Sequence, residues 1–440
     1  MKLVFKILMS GILVWSCSND DVSSSSDEEF ANEIEFTQTL GGSKNDDARA
    51  IINTLDGGYA ILGSTQSMDG NITDKNDDSY DFWLIKFDNQ DSVQWTKTYG
   101  GSQNDHGFDL VQSTDGGYAI LGYSQSSDGD VSENAGMSDY WIAKLDAEGN
   151  LLWEKSFGYV GGDAGTVLTP THDGGYLLTG VLDAFASGGE GNTFNKHPGG
   201  NYWMIKLDAQ GNKEWSRHYG GYFTDTAYGA IQTEDDGYII VGSSDSYEVE
   251  LFDNKGTYDV WVIKIDQNGE LVWNKNFGGS GIDEARAITD SGDGNFIIIG
   301  DTRSNDQDVP ENKGSADLWM IKMNQDGEIL WSKTYGGTGF DVGRSVMRTS
   351  DNGYLVSGSS KSGDGDVGQN QGSNDAWILK TDSNGELLWQ KSVGGTQLDF
   401  AFDAIQKPDN TIVAVGNSAS SDGDISTNKG LDDLLIIKLR

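Results

Sequence analysis

Four loops of this 440-residue chain share the spacing D-x-D-x₃-N-x-G, a spacing that could hold a hard cation. The residues are Asp128, Asp130 and Asn134; Asp306, Asp308 and Asn312; Asp364, Asp366 and Asn370; and Asp422, Asp424 and Asn428. Clustered carboxylate and amide oxygens beside a glycine turn are what Ca²⁺ requires, so structural calcium is one expectation. The spacing is not that of an EF-hand. Asp, Asn and Gly are also ordinary turn formers, and that is the other reading.

A second set of polar residues is fixed by a recurring glycine: Gly41, Gly100, Gly158, Gly220, Gly278, Gly336 and Gly394. Five residues after each stands an aspartate: Asp46, Asp105, Asp163, Asp225, Asp283, Asp341 and Asp399. These could form an acidic ring around a cation, or each could accept backbone N–H bonds in its own loop; equivalent copies favour the second. Seven residues after the glycine the side chain is always small: Ala48, Gly107, Gly165, Ala227, Ala285, Gly343, Ala401. The next residue varies: Arg49, Phe108, Thr166, Tyr228, Arg286, Arg344, Phe402. Three of the chain's seven arginines fall at that one variable position. Arginine suits bidentate contact with carboxylate or sulfate, and Tyr or Phe suits stacking on a sugar face. Arg49, Arg286, Arg344 and Tyr228 are therefore candidates for binding an acidic glycan or another anion. The competing expectation is that each arginine pairs with a loop aspartate such as Asp46 or Asp283.

Catalytic signals are sparse. His106, His172, His197 and His218 share no metal spacing, and G-x-S-x-G, H-E-x-x-H and the P-loop are absent. Among 69 acidic residues no pair stands out from the repeat as a glycosidase dyad. A site should break the repeat. The loop at Phe185 to Asn201 and the stretches around Tyr222–Phe223 and Phe252 do so, and Phe194, Tyr222, Phe223 and Phe252 could form a binding patch there.

The element that must position these residues is a hairpin, seen plainly at Asp259 to Gly279. Val260 to Ile265 is apolar on both faces apart from Lys264, so both faces must be covered. Asn268-Gly269 supplies the turn, and a second strand carries Leu271 and Trp273. The unit recurs in steps of 59, 58, 62, 58, 58 and 58 residues. Tryptophan keeps the register at Trp83, Trp141, Trp203, Trp261, Trp319 and Trp377, and at Trp95, Trp153, Trp215, Trp273, Trp331 and Trp389. A tryptophan present in every copy reads as packing. A lysine three residues after the first series (Lys86, Lys144, Lys206, Lys264, Lys322, Lys380, with Lys438 in the last repeat) reads as a snorkelling or carboxylate-paired group.

The repeats begin out of phase. Glu33 to Gly42 aligns with Glu386 to Gly395, a final strand with nothing before it, whereas the last repeat stops at Arg440 without its final strand. The N-terminal strand can therefore complete the last repeat and close a ring. The expectation is all-β: a seven-bladed β-propeller of four-stranded blades over residues 33–440. Its innermost strands line a channel, and the loops before them share one face with the loops between second and third strands. A net charge of −39 argues against nucleic acid as a partner.

Residues 1–16 read as a signal peptide ending at Cys17, the only cysteine. The stretch LVWSC resembles a bacterial lipobox, in which the cysteine is lipidated and becomes the mature N-terminus. Residues 17–32 are Ser- and acid-rich and read as a flexible tether. Asp20-Asp21 resembles the export signal of Bacteroidota surface lipoproteins. The repeats resemble the short β-propeller repeats of secreted and surface bacterial proteins. KLDAEGNLLWEKSFG also resembles the tryptophan-docking motif of quinoprotein propellers and related outer-membrane assembly lipoproteins. The quinoprotein enzymes carry a vicinal disulfide at their cofactor, which one cysteine cannot make.

Together these readings imply a lipoprotein of the outer membrane facing the cell surface, a non-catalytic binding or scaffolding propeller for a glycan or protein partner. A polysaccharide-active hydrolase or lyase, and an outer-membrane assembly factor, are the alternatives.

Overall fold

A computed structural model describes residues 30, 32–183, 200–247 and 254–440. Cys17, most of the acidic tether, Phe194 and Phe252 lie outside them. Among the described residues twenty-eight strands form seven four-stranded antiparallel sheets. In the first blade the strands run Asp46–Asn53, Tyr59–Thr65, Asp81–Phe87 and Val93–Tyr99, paired in chain order. The innermost strands of the other blades are Asp105–Gln112, Ala164–Pro170, Asp225–Gln232, Asp283–Asp290, Asp341–Arg348 and Asp399–Gln406. Each touches the next, and the last touches the first, so they line a central channel.

The ring closes as the sequence implies. Ile34–Leu40 pairs antiparallel with Asp433–Leu439, from Ile34 opposite Leu439 to Leu40 opposite Leu434, and is the outer strand of the last blade. Phe36 packs against the core cluster that holds Trp83, Val413 and Ile436.

The apolar runs are buried for the expected reason. Every residue of Asp259–Ile265 is buried, since sheets of adjacent blades cover both faces. Trp83, Trp141, Trp203, Trp261, Trp319 and Trp377 are all at most 3% exposed. The outer-strand tryptophans dock between blades: a Cβ on Gly149 would sit 2.9 Å from the Trp95 ring, and one on Gly211 2.9 Å from Trp153. Tyr99 donates its hydroxyl to the Gly149 carbonyl at 2.6 Å across the same junction. The hairpin differs from a two-residue turn. Gly269 takes φ 81°, Asn268 does not take a positive φ, and the pairing slips between Lys264 and Ile265.

The repeated lysines are ion-paired. Lys86 Nζ lies 2.9 Å from Asp56, Lys206 2.9 Å from Asp173 and Lys264 2.7 Å from Asp235. The Lys264 and Thr233 hydrogen bonds draw Asp235 down to about 2. Lys438 departs from the pattern. It bonds Asp91 of the first blade at 2.6 Å, beside Lys407 at 3.1 Å, tying the closing blade to its neighbour.

Candidate functional site: the channel mouth

In all seven blades the pairing between first and second strand slips at one residue. In the first blade Ala48 faces Gly63 and Ala50 faces Leu62, which leaves Arg49 without a partner. The slipped residues are Arg49, Phe108, Thr166, Tyr228, Arg286, Arg344 and Phe402, the variable position of the repeat. A β-bulge frees its extra residue from the ladder and re-aims the side chain. That is why this position escapes the packing rule its neighbour obeys. The small neighbour sits against the preceding blade: Ala48, Ala227, Ala285 and Ala401 are fully buried, and a Cβ on Gly343 would lie 2.9 Å from Ile299 and Leu318.

A residue type the sequence reading passed over makes the bulge possible. Opposite it, the second strand always carries glycine, as in Gly63, Gly122 and Gly300. A Cβ on Gly300 would fall 1.8 Å from the Glu284 carbonyl oxygen, and one on Gly63 1.9 Å from that of Asp47. The signal was present as an unvaried glycine inside a strand.

The bulge residues meet at the mouth. Arg49 lies over Phe402, 4.3 Å from guanidinium carbon to ring centroid, and 5.8 Å from Phe108. Arg344 takes a second approach to Phe402 at 5.0 Å and stands 5.8 Å from Phe400. Arg286 lies 4.7 Å over Tyr228. Beyond Phe108 the rings continue: Tyr123 at 5.9 Å, then His106 at 5.1 Å from Tyr123, then Tyr80 at 4.4 Å from His106. The mouth thus carries an arc of alternating guanidinium and aromatic groups that leads outward over the first and second blades. Tyr80, His106, Tyr123 and Phe400 were missed in the sequence because none of them stands at the bulge position and their types vary from blade to blade.

The arginine partners differ from the expected ones. Arg49 pairs with Asp47 at 2.8 Å and Arg286 with Glu284 at 2.7 Å, each two residues earlier on its own strand. Asp46 and Asp283 are engaged elsewhere. Asp46 accepts the Gly42 N–H at 2.7 Å and the hydroxyls of Ser67 and Thr65; Asp283 likewise binds Gly279 N–H and the Ser304 and Thr302 hydroxyls. The seven-fold aspartate ring is therefore a set of loop braces.

The D-x-D-x₃-N loops lie on the same face and use their oxygens on backbone. Asp128 accepts Ser102 N–H at 2.7 Å, Asp130 accepts Gly100 N–H at 3.2 Å, and Asn134 accepts Gly136 N–H at 2.8 Å while donating to the Ser124 carbonyl at 2.8 Å. The same bonds return at Asp306, Asp308 and Asn312, at Asp364, Asp366 and Asn370, and at Asp422, Asp424 and Asn428. The residue after the asparagine reaches the next blade: Lys313 bonds Asp366 at 2.5 Å, and Lys255 bonds Asp308. Among the described residues no group of three or more His, Cys, Asp or Glu is placed to hold a metal ion. Of the repeat-breaking aromatics within the described residues, Tyr222 and Phe223 are exposed, and Phe223 packs 5.4 Å from Tyr247.

No protein-family model matches the chain, and no curated protein matches it in sequence. Solved structures similar to it include BamB from Moraxella catarrhalis, at 11% identity and TM-score 0.44, covering 93% of this chain and 100% of that one. The Neurospora crassa Pan2 WD40 domain is similar at 9% identity and TM-score 0.48, covering 92% and 96%. A glucose dehydrogenase is similar at 10% identity and TM-score 0.41, covering 91% and 98%. The seven-bladed propeller rests on the strand pairing itself, and these likenesses carry no function to the chain.

Proposed function

We propose that the protein is a non-catalytic binding propeller, anchored through lipidated Cys17 to the outer membrane, that presents its channel-mouth face to a glycan at the cell surface. The observation that supports ligand binding is the bulge. One position in each blade is released from packing, and there a chain of net charge −39 places three of its seven arginines among aromatic rings. Aromatic surface with a few fixed polar groups is the usual lining of a ligand site. A structural ring would need no such mixture, as the all-aspartate position five residues after each glycine illustrates.

Anchoring and binding are tested separately. Replacing Cys17 by Ser should release the protein from membranes and abolish fatty-acid labelling; unchanged fractionation would overturn the anchor. A glycan and protein array probed with the purified propeller should return glycans that carry acidic groups. Capture of proteins only would assign the face to a protein partner. Release of reducing ends from a bound polysaccharide would assign it to an enzyme.

A further inference from the structure

Of the three mouth arginines, two are neutralised within the chain. Arg49 has Asp47, and Arg286 has Glu284 at 2.7 Å with Asp301 at 3.7 Å. Arg344 is different. Among the described residues it forms no ion pair, and its Nε, like that of Arg286, is buried without a hydrogen-bond partner. Phe402 and Phe400 flank it, and ring faces offset only part of a guanidinium's lost hydration. Burial, then the nearby charges of Arg286 and Arg49, outweigh the attraction of Asp301 and Glu284 and draw its pKa down to about 10. A half-buried cation opposed by two like charges gains more from a counter-ion than an exposed one does.

We propose that Arg344 is the anion-recognising residue of the channel mouth, and that its ligand carries a singly charged oxyanion, a carboxylate or a sulfate ester, on a sugar ring. This rests on the reading of the mouth as a glycan site and deepens it. The single charge follows from what surrounds Arg344. Asp47 and Glu284 already answer Arg49 and Arg286, and buried Asp301 stands beside Arg286 and reaches Arg344 only as a longer-range charge. One oxyanion completes Arg344. A second negative charge, as on a phosphate monoester, would add repulsion from Asp301 and Glu284. The sugar ring follows from the arc: Phe108, Tyr123 and Tyr80 are half-buried rings leading away from the arginines, a run of apolar faces suited to the flat faces of successive pyranoses.

The probes are oligogalacturonate, its methyl ester, a sulfated galacto-oligosaccharide and a sugar phosphate, titrated calorimetrically into the whole protein. The carboxylate or the sulfate ester should bind at least about tenfold more tightly than the methyl ester and the phosphate, and whichever binds names the group. Arg344→Gln should weaken the acidic probe by roughly 10- to 100-fold, the range of a charge-assisted bond, with affinity for the neutral ester unchanged. Asp301→Asn, which removes the competing carboxylate, should tighten the acidic probe. The melting temperature of Arg344→Gln should not fall, since no ion pair is lost. Equal affinity for acid and ester, or an Arg344→Gln variant that binds like the parent, overturns the inference and leaves the glycan reading standing. A large drop in its melting temperature would make Arg344 structural and also overturns it. Binding of none of the four probes, with none found on the glycan array, overturns both.

Discussion

The guanidinium of Arg49 lies 4.3 Å over the ring of Phe402, across the junction where the last blade meets the first. The two residues are far apart in sequence and occupy the same bulge position in neighbouring blades. Their contact exists because the innermost strands of the last and first blades meet and close the ring. Fold closure and the proposed site thus share one seam, which Lys438 and Lys407 reinforce by converging on Asp91.

That seam can be cut. Deleting Glu33 to Gly42 removes a seven-residue strand, the Phe36 contact and the outer edge of the closing blade. Losing the Phe36 side chain alone costs about 1.5–3 kcal/mol, and the exposed edge invites association. The expected outcome is aggregation or a broad, multi-step unfolding curve in urea. A deletion variant that melts in one sharp transition at the parental temperature would show that the ring does not depend on this strand.

The bulge has a specific weak point in the second strand. Gly300→Ala places a methyl group 1.8 Å from the Glu284 carbonyl, on the strand that carries Arg286. The two strands must part, and overpacking of this kind costs about 1–3 kcal/mol. The urea midpoint should fall accordingly. An unchanged midpoint would show that the sheet absorbs the methyl by a small shift.

Much of this was legible in the chain and some was not, for definable reasons. The 58-residue period, the tryptophan register and the unmatched terminal strands each declare themselves locally, because every blade solves the same packing problem. Arg49, Arg286 and Arg344 were visible as variation beside an unvarying small residue. Their partners were not. Asp47 and Glu284 vary from blade to blade, and only the bulge, a property of two paired strands, turns them toward the arginines. Likewise the reach of Lys313 to Asp366 joins two blades and leaves no trace in either one alone.

Stability should depend on pH through another cross-blade relationship. A Cβ on Gly278 would lie 2.5 Å from Asp259 and 2.8 Å from Asp283, so two carboxylates flank one glycine. In the third blade Asn201 replaces the first of them, and faces Asp225 in the same way across Gly220. Burial above all, resisted by the Lys255 N–H bond and aided by the Asp283 charge, pushes Asp259 up to about 7; Asp317 and Asp375, buried and facing Asp341 and Asp399, rise to about 6. The folded form then holds protons that the unfolded chain, with carboxyls near 3.8, releases earlier. Stability is therefore highest near the unfolded value and is lost as pH rises through about 6 to 7. Melting at pH 5 should exceed that at pH 8. Asp259→Asn, which copies Asn201, should raise the pH 8 melting temperature by about 2 °C and change little at pH 5. Equal melting at both pH values, or loss of stability in the variant at pH 8, would refute the assignment.

Calcium offers the last test. Asp128, Asp130 and Asn134 and their three counterparts present the oxygens a hard cation needs, yet each carboxylate accepts a backbone N–H, and two of the second aspartates also meet a lysine from the preceding blade. An N–H pointing at a carboxylate oxygen occupies the direction a metal would use, and Lys255 and Lys313 already supply positive charge at Asp308 and Asp366. At those two loops Ca²⁺ would have to displace the lysines before it could bind. The expected outcome is that chelator and millimolar Ca²⁺ give the same melting temperature. Lys313→Met should then lower stability slightly, by the roughly 0–1 kcal/mol of a partly exposed pair, in either condition. A rise in melting temperature with added Ca²⁺ would follow from mass action at an occupied site. A larger rise in the Lys313→Met variant would place that site at Asp364 and Asp366, where removal of the ammonium group opens the carboxylate to the ion.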